Sequence, residues 1–340
     1  MKTNNIITLT APDLDGYLSA DDNGAISHIG TLYDAILNGT GDEQVRLYNN
    51  MGAELRTLTD KEERIHVYAF KSPQEDYFEG SRIVAKLRDT RTANEEFIYY
   101  TQRSYEILFK FAYCDPKNIK RYYRTVKTPV TFPKQNYAVH RLVDIDDKIE
   151  NIVMCVLLRG ALLPSMIMSK EIEEYSSKGS VTPFALFKIS RDDSRKEADM
   201  RYILNLDKSY FDVESLRDKD LVFADPMNAT GGSIITIIKY LEDNGVVPRS
   251  IKVFNEIASL KGLLRLVRAV KNCDVYTMWV DPALNEKAYI LPGLGDAGDR
   301  LNGPDEGIPK NMIRLISGYG TNIAGLYQAQ VREIENTVLN

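Results

Sequence analysis

Apolar residues in this chain fall into blocks of two kinds. Phe97, Tyr100, Tyr105, Leu108, Phe109 and Ala112 recur at helical spacing and Asp115-Pro116 ends their run, so the pattern predicts a helix. Beyond it, compact apolar runs alternate with helical ones. Residues 152–158 read as a buried strand, followed by a helix over 163–175; residues 184–189 read as a strand that enters the charged stretch 191–197, an exposed hairpin or flap. Strands are predicted over 221–224, 251–257 and 275–280, with helices over 232–244, closed by Gly245, and over 260–270. Such alternation implies an α/β chain built on a parallel sheet with helices on both faces.

The first eighty residues differ. Turn signals at Ala11-Pro12-Asp13, Asp21-Asp22-Asn23-Gly24 and Asn38-Gly39-Thr40-Gly41 separate short apolar patches with no strong period, which predicts a small mixed N-terminal extension, 1–80, separable from the sheet domain 81–303. Residues 304–340 are Gly- and Pro-rich, then weakly helical near 326–338, and read as a C-terminal tail.

Composition narrows the functional classes. With 44% apolar and 27% charged residues the chain reads as soluble, and a net charge of −5 argues against nucleic acid as a partner. Cys114, Cys155 and Cys273 are widely spaced, which fits neither a disulfide framework nor a zinc cluster and points to a reducing cytoplasm. His28, His66 and His140 share no metal-ligand spacing. No apolar run approaches the ~20 residues that span a bilayer, and the N-terminus has no h-region, so neither membrane insertion nor secretion is expected.

Candidate chemistry lies where predicted strands end. In LVFADPMNATGGS, residues 221–233, a buried strand ends at Asp225 and passes through a small-residue loop into an amphipathic helix. Gly231 and Gly232 let the backbone close on a phosphate, N–H groups at the helix start favour an anion, and Thr230 and Ser233 add hydroxyl donors. No Gly-Lys-Ser or Gly-Lys-Thr follows, so triphosphate hydrolysis loses its main support. Asp225 stands where its carboxylate can accept hydrogen bonds from sugar hydroxyls; the plainer alternative is a turn at Asp225-Pro226 followed by a capped helix.

A second segment, NEKAYILPGLGDAGDR over 285–300, carries Gly293, Gly295 and Gly298 at the spacing of a dinucleotide fingerprint, but Gly303-Pro304 and Pro309 oppose the helix that this fingerprint requires. It is predicted instead as a rigid loop whose backbone binds the edge of a planar base, with Asp296 facing a sugar or a magnesium-bound diphosphate. The charges over 191–201 read as a solvated face.

In their order and separation, DPMNATGGS and YILPGLGDAGDR resemble the uracil phosphoribosyltransferase family. The resemblance extends through Leu87 to Thr92 with Phe97, Val126 to Pro129, Val156 to Ala161 and Arg191-Asp192, covering residues 81–303. It implies a type I phosphoribosyltransferase fold that converts uracil and 5-phosphoribosyl 1-diphosphate (PRPP) to UMP and diphosphate with Mg²⁺ held through the substrate, and it implies a homo-oligomer. By position, Ala229, Thr230, Gly231, Gly232 and Ser233 would hold the 5-phosphate, Asp225 the ribose diol and Arg159 the diphosphate. Tyr289, Ile290 and Gly295 would read uracil, and Asp296 would orient the sugar or the metal-bound diphosphate. The family's RAGLGM turn is here Arg159-Gly160-Ala161-Leu162-Leu163-Pro164, a change at the diphosphate side. Two classes therefore stay open: a transferase of pyrimidine salvage, or a non-catalytic or weakly active regulator on the same fold that senses uracil or UMP.

Overall fold

Buried apolar runs become the inner strands of one sheet in the computed structural model, which describes residues 5–71, 74–114, 120–130 and 137–302. From edge to edge the strands are Ile6–Thr10, Arg201–Tyr210, Phe184–Arg191, Ile152–Leu158, Asp220–Ala224, Ser250–Ser259, Cys273–Asp281 and Ile65–Val67, with the short Met227–Asn228 beside Ser250–Ser259. All pairs from Phe184–Arg191 to Ile65–Val67 are parallel; Arg201–Tyr210 and Ile6–Thr10 run antiparallel at one edge. Asp220–Ala224 is buried along its whole length because helices cover both faces, which is why it reads as an apolar run rather than an alternating one.

The predicted alternation matches this architecture, with ends shifted by at most two residues. The helix after Ile152–Leu158 spans Leu162–Tyr175, and Pro164 fits there because the first turn needs no intrahelical N–H donor. The charged stretch forms the turn of the antiparallel pair Phe184–Arg191 and Arg201–Tyr210. Strand Ile152–Leu158 continues to its parallel neighbour on one side, and Asp220–Ala224 continues to the neighbour on the other. Right-handed crossovers then place Leu162–Tyr175 on one face and Gly232–Asp243 and Leu260–Ala269 on the opposite one. The long helix Asn94–Tyr113 packs against Leu162–Tyr175.

The expectation of a separable extension over 1–80 fails on packing. Ile6–Thr10 and Ile65–Val67 supply the two outermost strands, and Ala11, Leu14, Ile29 and Leu55 are buried in the common core, so the described residues form one compact unit. Between the edge strands the chain forms a short helix, Ala11–Asp15, and two long ones, Ala20–Asn38 and Gly41–Asp60. The tail 304–340 lies outside the described residues. A two-stranded hairpin, Lys120–Lys127 with Tyr137–Asp144, stands off the main sheet. Among the described residues no helix is long and apolar enough to cross a membrane.

Candidate active site

The point where the chain leaves adjacent parallel strands in opposite directions creates a crevice at their carboxyl ends. Here Ile152–Leu158 and Asp220–Ala224 are those strands, paired from Ile152 opposite Asp220 to Met154 opposite Val222. The Arg159 turn leaves the first and the Asp225 loop leaves the second, so both sequence-predicted segments meet at one end of the sheet.

The loop after Asp225 is held from below by the next strand. The Asp225 N–H donates to the Phe254 carbonyl at 3.0 Å, Asn255 Nδ2 donates to the Asp225 carbonyl at 2.7 Å, and the N–H groups of Glu256 and Ile257 donate to the Pro226 carbonyl. Gly231 takes φ +72° and turns the chain into the helix Gly232–Asp243, leaving backbone N–H groups at its start as an anion cradle. The cradle has little slack. Ser259 Oγ donates to the Ala229 carbonyl at 2.5 Å, and a Cβ on Gly262 would sit 2.7 Å from the carbonyl oxygens of both Asn228 and Ala229. Asn228 is buried with both side-chain polar atoms unpartnered.

The segment 285–296 forms a tied loop. Asn285 Oδ1 accepts from the N–H groups of Lys287 and Tyr289, Ile290 pairs with Leu284, and Gly293 takes φ +64° where a Cβ would strike the Ile290 carbonyl. Asp281, fully buried, anchors it: Oδ2 accepts from the Gly293 N–H at 2.9 Å, while Arg88 reaches Oδ1 at 2.6 Å and Oδ2 at 3.2 Å. Arg300 lies over the Phe97 ring, 4.1 Å from its centroid, and donates to the Leu294 and Asp89 carbonyls. A short helix, Ala297–Asn302, does open after the loop, contrary to the expectation that none could form, but it stops at six residues. Exposed Asp296 caps it, its Oδ1 accepting from the Asp299 N–H at 3.0 Å.

Arg159 points toward this second segment and pairs with Asp299 at 2.8 Å; the backbones of Gly160 and Gly298 pass close to one another. The altered turn thus joins the base loop directly. Arg191, which the sequence reading left in a solvated charge run, lies with its guanidinium 5.2 Å from the Tyr289 ring centroid and donates to the Ala288 carbonyl at 3.3 Å. Loss of solvation pushes the Asp225 carboxyl up to about 7, against the opposing pull of the Met227 N–H and the positive charge of Arg191. Glu256 was also missed: it is fully buried, Oε1 accepts from Ser104 Oγ at 3.1 Å, Oε2 has no partner, and burial pushes its carboxyl up to about 7. An acid within the predicted buried strand 251–257 was the available signal.

The sequence profile described as uracil phosphoribosyltransferase matches residues 81–303. The chain belongs to the uracil phosphoribosyltransferase family. A protein named uracil phosphoribosyltransferase from Clostridioides difficile (strain 630) is 42% identical over 90 residues, 26% of this chain and 42% of that protein. One of the same name from Campylobacter fetus subsp. fetus (strain 82-40) is 33% identical over 152 residues, 45% of this chain and 65% of that protein. A third, from Dictyoglomus thermophilum, is 29% identical over 220 residues, 65% of this chain and 93% of that protein. The chain spans only about two fifths of the length of the first of these relatives, and the same holds for two further proteins of that name. The family segment opens at residue 81, so the two outermost strands of the sheet come from outside it.

Proposed function

We propose that this chain is a uracil phosphoribosyltransferase that makes UMP and diphosphate from uracil and PRPP. One observation carries the reading: the phosphate cradle, the Arg159 turn and the base loop, far apart in sequence, meet where the two central strands diverge. In this reading the N–H groups and hydroxyls of Ala229 to Ser233 hold the 5-phosphate, and Asp225 accepts from the ribose hydroxyls. The backbone of Tyr289, Ile290 and Gly295 reads the edge of uracil, and the anchored loop keeps that edge fixed in line with the sugar.

During transfer the bond from the anomeric carbon to the diphosphate oxygen breaks and a ring nitrogen of uracil bonds to that carbon, losing its proton. Positive charge develops on the sugar and negative charge on the leaving group. Arg159 and Arg191 supply fixed positive charge for the diphosphate, and Arg159 would exchange its Asp299 partner for it. Among the described residues no three carboxylate, imidazole or thiol groups stand close enough to hold a metal ion by themselves, so Mg²⁺ would be carried by the diphosphate and would add charge neutralisation there. A cytoplasmic homo-oligomer is part of the same proposal.

The test is UMP formation from uracil, PRPP and Mg²⁺ by the full chain. Turnover that depends on both substrates supports the transferase; binding of UMP with no turnover at saturation would replace it with the sensing regulator.

A further inference from the structure

Residues 6–15 precede the family segment, yet they hold two supports of the proposed phosphate cradle, the strand that carries Tyr202 and the helix that carries Arg265. Ile6–Thr10 pairs along its whole length with Arg201–Tyr210, setting Leu9 opposite Tyr202, and the Ala11 N–H donates to the Met200 carbonyl at 2.8 Å. Tyr202 is fully buried. Its ring lies so close to Gly232 that a Cβ there would run into it, and its hydroxyl is 2.6 Å from Thr230 Oγ1. A hydroxyl has one donor and two acceptor positions. Phenol is the stronger acid of the pair, so Tyr202 donates to Thr230, whose oxygen also faces the Gly232 N–H at 3.4 Å. With both lone pairs of Thr230 engaged, its own O–H is left to donate toward an anion in the cradle.

The other side works through charge. Asp15, ending the short helix Ala11–Asp15, accepts from Arg265 Nε at 3.1 Å and Nη2 at 2.6 Å. The Arg265 side chain has 0% exposure and also lies 3.3 Å from Glu197 of the flap. Arg265 belongs to Leu260–Ala269, the helix whose Gly262 abuts the Asn228 and Ala229 carbonyls. The position of that helix therefore sets the floor of the cradle.

We propose that residues 6–15 are part of the phosphate-binding machinery, with Tyr202 the positioning residue that aims the Thr230 hydroxyl and Asp15 the residue that seats the helix under the cradle. The proposal rests on the reading of Ala229 to Ser233 as a 5-phosphate site. It bears on phosphate-carrying ligands and not on the base.

The full chain tests it through Tyr202→Phe, which removes one hydroxyl from a buried ring, and Asp15→Asn, with Asp15→Glu as the conservative control. Ribose 5-phosphate binding by calorimetry and the KM values for PRPP and uracil are the readouts. The hydrogen bond lost is the neutral one between Tyr202 and Thr230, which corresponds to about a two- to tenfold weakening. Tyr202→Phe should weaken ribose 5-phosphate and raise the PRPP KM by about that factor, with the uracil KM unchanged; Asp15→Asn should act in the same direction and Asp15→Glu should restore binding. Equal weakening toward uracil and ribose 5-phosphate marks a merely structural role and overturns the proposal. Unchanged ribose 5-phosphate affinity in both variants, with the wild type binding it, overturns the proposal and leaves the cradle standing. If the wild type itself fails to bind ribose 5-phosphate, the cradle assignment falls and the proposal with it.

Discussion

Replacing Glu256 by Gln removes a titrating group from the core while keeping its shape. Thr101, Ser104 and Tyr105 of Asn94–Tyr113, Asp225 of the cradle loop and Arg300 beyond the base loop face this carboxyl, and none ion-pairs with it within 4.0 Å. Burial holds its proton up to about 7, whereas in the unfolded chain it is released near 4.5. Between those values the native state binds more protons than the unfolded state, so wild-type stability falls as pH rises through the interval. At 1.36 kcal/mol per pKa unit the whole interval is worth about 3 kcal/mol, of which about 2–3 kcal/mol accrues between pH 5 and pH 8. Glu256→Gln cannot ionise. The buried amide adds a pH-independent cost for its extra donor, so the diagnostic quantity is the change in the gap between variant and wild type. Urea unfolding of both proteins at pH 5 and pH 8 should show the variant gaining about 2–3 kcal/mol relative to wild type at the higher pH. A gap that stays the same at both pH values would refute the claim that this carboxyl is protonated by burial.

Asp281→Ala leaves Arg88 without its buried partner and frees the Gly293 N–H, which should destabilise the fold by about 3–5 kcal/mol and weaken uracil binding, checked by urea unfolding and calorimetry. Asn228→Leu replaces a buried amide that makes no hydrogen bond and should stabilise the chain by about 1–3 kcal/mol; a lowered unfolding midpoint would contradict this. Arg159→Ala should lower the rate of UMP formation by about 10²–10³ while leaving UMP affinity within a few-fold, because UMP lacks the diphosphate. Equal losses in rate and UMP affinity would place Arg159 on the wrong ligand.

The parallel half of the sheet was legible because its strands are covered on both faces: Ile152–Leu158 and Asp220–Ala224 read as apolar runs, and their ends were found to within a residue. The tight turns at Gly231 and Gly293 were legible because glycine is demanded there, where φ is positive. What failed was nonlocal or sparse. Ala20–Asn38 buries only Asp22, Ile29, Tyr33 and Ile36, and Gly41–Asp60 only Met51, Leu55 and Thr59, so neither shows a wide apolar stripe. Their neighbourhood still carried a readable sign: Thr10 with Asp13 and Ser19 with Asp22 are reciprocal capping pairs, the start signal of a helix. Ile6–Thr10 could not be placed from its own five residues, since its partner strand begins at Arg201. Glu256 and Arg191 were passed over for opposite reasons. One looked like an accident in a strand, and the other was lost in a crowd of charges.

Order of synthesis gives the two edge strands a distinct place in the life of the chain. Ile6 pairs opposite Asn205 and Ile65 opposite Val275, each about two hundred residues downstream. At about 5–20 residues per second on a ribosome, each edge strand waits on the order of 10–40 s for a partner to exist. The inner strands, from residue 152 to residue 281, emerge together and can pair with their neighbours at once. The strands made first therefore wait longest for a partner. During that wait the apolar residues of Ile6–Thr10 are unpaired β-forming surface. Chaperone demand in this chain should accordingly fall on its first seventy residues, although the chemistry lies far beyond them.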